Sequence, residues 1–124
     1  MCGIAGIFHL NGSAVSDRQI KQMTRAMAHR GPDGEDVYVN ENIALGHRRL
    51  AILDVSPKGA QPMSSKNGEW VIVFNGCIYN FHELKIQLQT RGHEFVSTGD
   101  TEVIAEGLAE YGPVFFERLD GMFA

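Results

Sequence analysis

A chain of 124 residues with 44% apolar content holds the material for one modest domain and a single core. Lys and Arg together number 11 against 15 Asp and Glu, and the net charge of −4 removes the basic face that nucleic acid requires. No stretch approaches the roughly 18 apolar residues of a membrane span, and no basic segment followed by an apolar run opens the chain, so neither membrane nor secretion is expected. The expected compartment is cytoplasmic, with Cys2 and Cys77 both free thiols.

In chain order, residues 3–8 read as a buried strand. Ser16-Asp17-Arg18-Gln19 then has the capping-box pattern that opens a helix, with Ile20, Met23 and Met27 as its inward stripe. Gly31-Pro32 and Asp33-Gly34 end it. Two strands are expected over 35–39 and 43–53, followed by a loop around Ser56-Pro57-Lys58-Gly59 and Gln61-Pro62. Residues 70–74, Trp-Val-Ile-Val-Phe, read as a buried central strand ending at Asn75-Gly76.

Asn80, with Glu83 three residues on, announces a second helix that carries Phe81, Leu84 and Leu88 on one face and ends at Gly92. A short strand over 94–97 precedes a third helix, capped by Asp100 or Thr101, with Val103, Ile104, Leu108 and Tyr111 inward, and stopped by Gly112-Pro113. Leu119-Asp120-Gly121-Met122-Phe123-Ala124 looks like a turn entering a further strand, an expectation that the chain is a fragment. Strands and helices come in blocks, which points to an α+β arrangement of helices on largely antiparallel sheets.

Cys2 carries the chemistry. Once Met1 is removed, one residue holds both a thiol and an α-amine that titrates near neutrality and can take the thiol proton directly or through one water. The bland alternative is a small buried hydrophobe. Asn75-Gly76 reads either as a hairpin turn or as a pair of oxyanion donors, one a side-chain amide and one a backbone N–H. Arg49, on the same face of its strand as His47, suits either a structural ion pair or the carboxylate of an amino acid. Asp100 is either an N-cap or an acceptor for an ammonium. The five histidines show no paired metal-ligand spacing, Asp33 and Asp36 fall short of a calcium loop, and no glycine-rich segment matches a nucleotide fingerprint.

Met1-Cys2-Gly3-Ile4, Arg30-Gly31-Pro32-Asp33, Leu45-Gly46-His47-Arg48-Arg49-Leu50, Gly59-Ala60-Gln61-Pro62-Met63, Asn75-Gly76, Ile78-Tyr79-Asn80, Asp100-Thr101-Glu102-Val103-Ile104 and the segment 119–124 occur in register. Together they resemble the glutaminase domain of asparagine synthetase-type class II glutamine amidotransferases over the whole chain. The resemblance implies an N-terminal nucleophile hydrolase fold, a four-layer αββα sandwich, truncated at its C-terminus. It implies that Cys2 attacks the side-chain amide of L-glutamine, that Asn75 and Gly76 hold the oxyanion, that Arg49 binds the α-carboxylate and that Asp100 binds the α-amine. Leu50, Ile52 and Leu53 would line the pocket. Ammonia would pass to a C-terminal synthetase domain, absent here, which alone would need ATP and Mg; no cofactor is expected in this chain, and a homodimer stays open.

One departure is Cys77, where the family usually has a glutamate that helps hold the substrate amine. Asp100 then carries that task alone, or a different amine-bearing substrate is preferred. The combination of Gly59–Met63 with Asn75–Asn80 is similar to the N-acetylglutaminylglutamine amidotransferase branch, whose acceptor is a dipeptide. The competing class of function is a non-catalytic glutamine-binding or assembly module.

Overall fold

A computed structural model describes all 124 residues, Met1–Ala124. The architecture is α+β: three α-helices and three small antiparallel sheets. The largest sheet has β3 (Ile43–Arg49) at its centre, between β1 (Gly3–Phe8) and β2 (Gly34–Asn40). Its register sets Gly3 opposite Arg48 and Gly34 opposite Arg49.

Helix α1 (Asp17–Ala26) starts at Ser16, whose side chain and that of Gln19 exchange hydrogen bonds with each other's backbone N–H. The helix lies on β3 at Gly46, where any Cβ would overlap Ile20 and Thr24. Ile20 joins Val15 and Ala44 in a small apolar cluster. The inward stripe differs from expectation: Thr24 is buried and Met23 is exposed. The two stand one position apart, about 100° round the helix, so only one can face the sheet, and the missing side chain of Gly46 makes room for Thr24.

The main core lies elsewhere, between α2 (Phe81–Thr90), α3 (Thr101–Tyr111) and the 3-10 segment Gly112–Arg118. It gathers Phe74, Ile78, Phe81, Leu84, Leu88, Val103, Ile104, Leu108 and Phe115, with Tyr111 packed at its margin. Phe115 is fully buried over Gly107, where a Cβ would run into its ring.

Several expected strands are shorter. Strand β3 stops at Arg49 rather than 53, because Leu50 turns its N–H to the Cys2 sulfur and Ala51 to the Asp33 carboxylate. The apolar run 70–74 forms only β5 (Val71–Ile72), paired with β4 (Met63–Ser64); the Phe74 N–H goes to the side chain of Gln61 instead of a neighbouring strand. Residues 94–97 form no strand, since the buried Glu102 accepts from the backbone N–H groups of Val96 and Ser97 and from the Ser97 hydroxyl. The third sheet pairs β6 (Gly76–Ile78) with β7 (Gly121–Phe123), so Asn75-Gly76 enters a ribbon rather than turning a hairpin. No helix is long and apolar enough to cross a membrane.

Candidate active site

The residues just before β1, the segment after β3, the strand β6 and the start of α3 converge on one cavity of about 400 Å³. Cys2, Asn75, Gly76, Cys77, Arg49, Leu50, Ile52, Leu53 and Asp100, drawn from four separate parts of the chain, all line it. The Cys2 sulfur accepts from the Leu50 N–H at 3.3 Å and lies 3.6 Å from the Leu50 carbonyl. Met1 is exposed beside it.

The ribbon geometry orients two of these groups. Asn75 and Ala124 exchange both backbone hydrogen bonds at 2.9 Å, and Tyr79 donates to the Asp120 carbonyl at 2.7 Å. Hydrogen-bonded and non-bonded pairs alternate along an antiparallel ladder, so the N–H groups of Gly76 and Ile78 point away from β7. Along that outer edge the Ile78 N–H donates to Asp100 Oδ2 at 2.9 Å. Gly76 N–H and the Asp100 carboxylate therefore stand on the same edge of β6, two residues apart, or about 7 Å along an extended chain. Only glycine fits at 76, because a Cβ would overlap the Met122 carbonyl and Phe123.

Asp100 precedes α3 but does not cap it with its side chain. Burial pushes its carboxyl above the usual range, against the Ile78 N–H and its own and the Thr101 backbone N–H, which favour the carboxylate. A buried carboxylate with a backbone partner on one oxygen is a natural acceptor for an ammonium. Arg49 plays a part that the sequence did not reveal: its guanidinium donates to the carbonyls of Ser56, at 2.8 Å, and Asp54. Two of its donors thus brace the loop after Leu53, and Arg49 also lines the cavity. His47, on the same strand face, is buried with Nε2 unpartnered, and burial together with the nearby Arg49 charge holds it below its ordinary value.

Two further lining residues were not singled out from sequence. Asp54 accepts from the Ser56 hydroxyl and N–H and from the Thr98 N–H, and these bonds, the Ser56 hydroxyl foremost, hold its carboxyl far below the usual range. The Asp-x-Ser spacing is a signal for such a turn. Gln61 lies buried with both ends of its amide engaged, and only its place in the Gly59–Met63 motif marked it. No group of three or more His, Cys, Asp or Glu is arranged to hold a metal ion.

A family model described as a glutamine amidotransferase domain matches residues 1–124. The chain belongs to that family. It is 39% identical to asparagine synthetase [glutamine-hydrolyzing] 1 of Bacillus subtilis, 41% to the asparagine synthetase [glutamine-hydrolyzing] of Zea mays and 40% to asparagine synthetase B [glutamine-hydrolyzing] of Escherichia coli. In each comparison the whole of this chain is covered, but only 20%, 21% and 22% of the relative. The chain thus spans about a fifth of the length of the curated relatives it matches.

Proposed function

We propose that this amidotransferase domain hydrolyses L-glutamine to glutamate and ammonia, with Cys2 as nucleophile after loss of Met1. The observation that carries the reading is the common edge of β6, where the Gly76 N–H and the Asp100 carboxylate lie about 7 Å apart. Glutamine sets its side-chain carbonyl and its α-ammonium at a comparable separation. With the ammonium at Asp100 and the carboxylate at Arg49, the amide carbonyl comes to Gly76 and the Asn75 side chain, facing Cys2.

The α-amine of Cys2 takes the thiol proton, and the thiolate attacks the amide carbon. Negative charge then develops on the carbonyl oxygen, where the Gly76 N–H and the Asn75 amide donate to it. The tetrahedral intermediate collapses with the nitrogen leaving as ammonia, protonated by the same amine, and a thioester remains. Water, deprotonated by the amine, adds to the thioester, and glutamate leaves as the thiol re-forms. Cys77 lines the same cavity where a carboxylate is usual in the family, so the ammonium relies on Asp100.

We further propose that the domain adopts the four-layer αββα arrangement of N-terminal nucleophile hydrolases. In that reading the 124 residues form one incomplete glutaminase domain, whose ammonia serves a C-terminal ATP- and Mg-dependent synthetase domain outside them. The names of the relatives favour an asparagine synthetase-type amidation over a dipeptide acceptor.

Intact mass before and after a glutamine-analogue alkylator, with glutamate release measured alongside, tests the site. Loss of Met1, one adduct and Cys2-dependent glutamate release, all but the first abolished in Cys2→Ala, are the expected results. Glutamine binding without turnover in a Met1-free protein would overturn the catalytic reading in favour of a binding module.

A further inference from the structure

Gln61 belongs to neither the nucleophile, the substrate carboxylate site nor the amine site, yet its side chain is buried where all three meet. Its Oε1 accepts from the Phe74 N–H at 2.6 Å, and its Nε2 donates to Thr101 Oγ1 at 3.3 Å. Phe74 immediately precedes Asn75, and Thr101 immediately follows Asp100. The amide therefore spans two elements whose neighbouring residues face the cavity.

Strand β5 ends at Ile72, so the Phe74 N–H lies beyond its ladder, and Gln61 stands in for the missing neighbour. On the other side, Asn75 is tied through its own N–H and carbonyl to Ala124. Phe74 is thus held at its N–H, in the peptide unit that precedes it, and Asn75 at both of its own groups, so the backbone is fixed on either side of the unit that joins them. Without the Gln61 bond the backbone on the N-terminal side of Phe74 is free to rotate, and Asn75 with its side chain would shift with it.

We propose that Gln61 is a positioning residue that fixes Asn75, and with it the oxyanion donors, at a set distance from the amine acceptor on α3. The proposal rests on the glutaminase reading above. Because the donors on Asn75 and Gly76 are used chiefly when charge develops, loosening them lowers kcat more than it raises KM.

The test compares Gln61→Met, which keeps the length but neither hydrogen bond, with Gln61→Glu, which keeps an acceptor for the Phe74 N–H while the Thr101 hydroxyl can turn to donate. Ile20→Val, in the separate cluster under α1, serves as a destabilised control remote from the cavity. In Gln61→Met, kcat for glutamate release is expected to fall about 100-fold, as for a misplaced catalytic group, with KM within about threefold. Gln61→Glu is expected to recover most of that loss, and hydrogen exchange at the Phe74 amide to quicken in Gln61→Met alone.

A rise in KM with kcat intact, a loss no larger than in Ile20→Val at equal stability, or a Gln61→Glu variant as slow as Gln61→Met would overturn the proposal. If the wild type shows no Cys2-dependent turnover, the glutaminase reading falls separately. Exchange at the Phe74 amide then judges the clamp by itself: faster exchange in Gln61→Met supports it, and unchanged exchange refutes it.

Discussion

Replacing Asp54 by Ala removes a carboxylate that joins two walls of the cavity. Its Oδ1 accepts from the Ser56 N–H at 2.8 Å and the Ser56 hydroxyl at 2.6 Å, and its Oδ2 from the Thr98 N–H at 2.8 Å. A hydrogen bond to a charged group contributes about 1.5–3 kcal/mol where water is excluded, and less where water can take its place. Ser56 is half-buried and Thr98 exposed, so water can reach both N–H groups once the carboxylate is gone, and Asp54→Ala should cost about 2–3 kcal/mol. Against the roughly 5–15 kcal/mol of a typical domain, that is a large fraction. Asp54→Asn keeps the Oδ1 acceptor but turns an NH₂ toward the Thr98 N–H, and should cost about 2 kcal/mol.

Urea unfolding at neutral pH reads both variants. Asp54→Ala should move the midpoint down by roughly 1–2 M at an ordinary slope. The pH dependence has a definite sign. A carboxyl held lower in the folded than in the unfolded state stabilises above its unfolded pKa, near 3.9, and loses that contribution as pH falls through the folded pKa. The gap between wild type and Asp54→Asn should therefore be flat from neutrality to about pH 4 and narrow only in stronger acid. An Asp54→Ala cost below about 1 kcal/mol, or a gap that widens toward acid, would refute the reasoning.

Gly107→Ala drives a methyl into the fully buried Phe115 ring, and overpacking of this kind should cost about 1–3 kcal/mol, seen as a lower melting temperature. A melting temperature equal to wild type would mean that the 3-10 segment gives way freely. His93 donates from Nδ1 to Glu106, 2.8 Å away, and from Nε2 to Glu110, 3.1 Å away, with Arg91 on the far side of Glu110 and the Lys66 N–H on Glu106. Burial lowers its pKa, but the hydrogen bonds and charges of Glu110 and Glu106 outweigh that and raise it. Its stabilising contribution is thus complete below about pH 6.5 and lost as pH rises through the folded pKa. The melting-temperature difference between wild type and His93→Gln should shrink from about pH 6 to pH 9, and a difference that grows would contradict the assigned sign.

The elements that were legible in the sequence rest on local physics. Ser16 and Gln19 close their capping box within four residues, Gly92 and Gly112 take positive φ where two helices end, and the apolar stripe of Phe81, Leu84 and Leu88 needs only the helical period. The strands read too long are those whose backbone groups found distant side chains. Leu50 bonds Cys2 across 48 positions, Phe74 bonds Gln61 across 13, and a β-rich composition at 70–74 does not disclose that exchange.

By itself the sequence determined the α+β class, the helices, the two thiols and, through motifs in register, nine of the residues that the cavity collects. Only the tertiary structure decided that Gly76 N–H and the Asp100 carboxylate share one edge of β6, that Arg49 braces its own loop, and that Asp54 and Gln61 tie the walls together. The reason is physical. A buried polar group must find a partner, and that partner, 44 positions away for Asp54 and Thr98 and 40 for Gln61 and Thr101, is set by packing rather than by any local period.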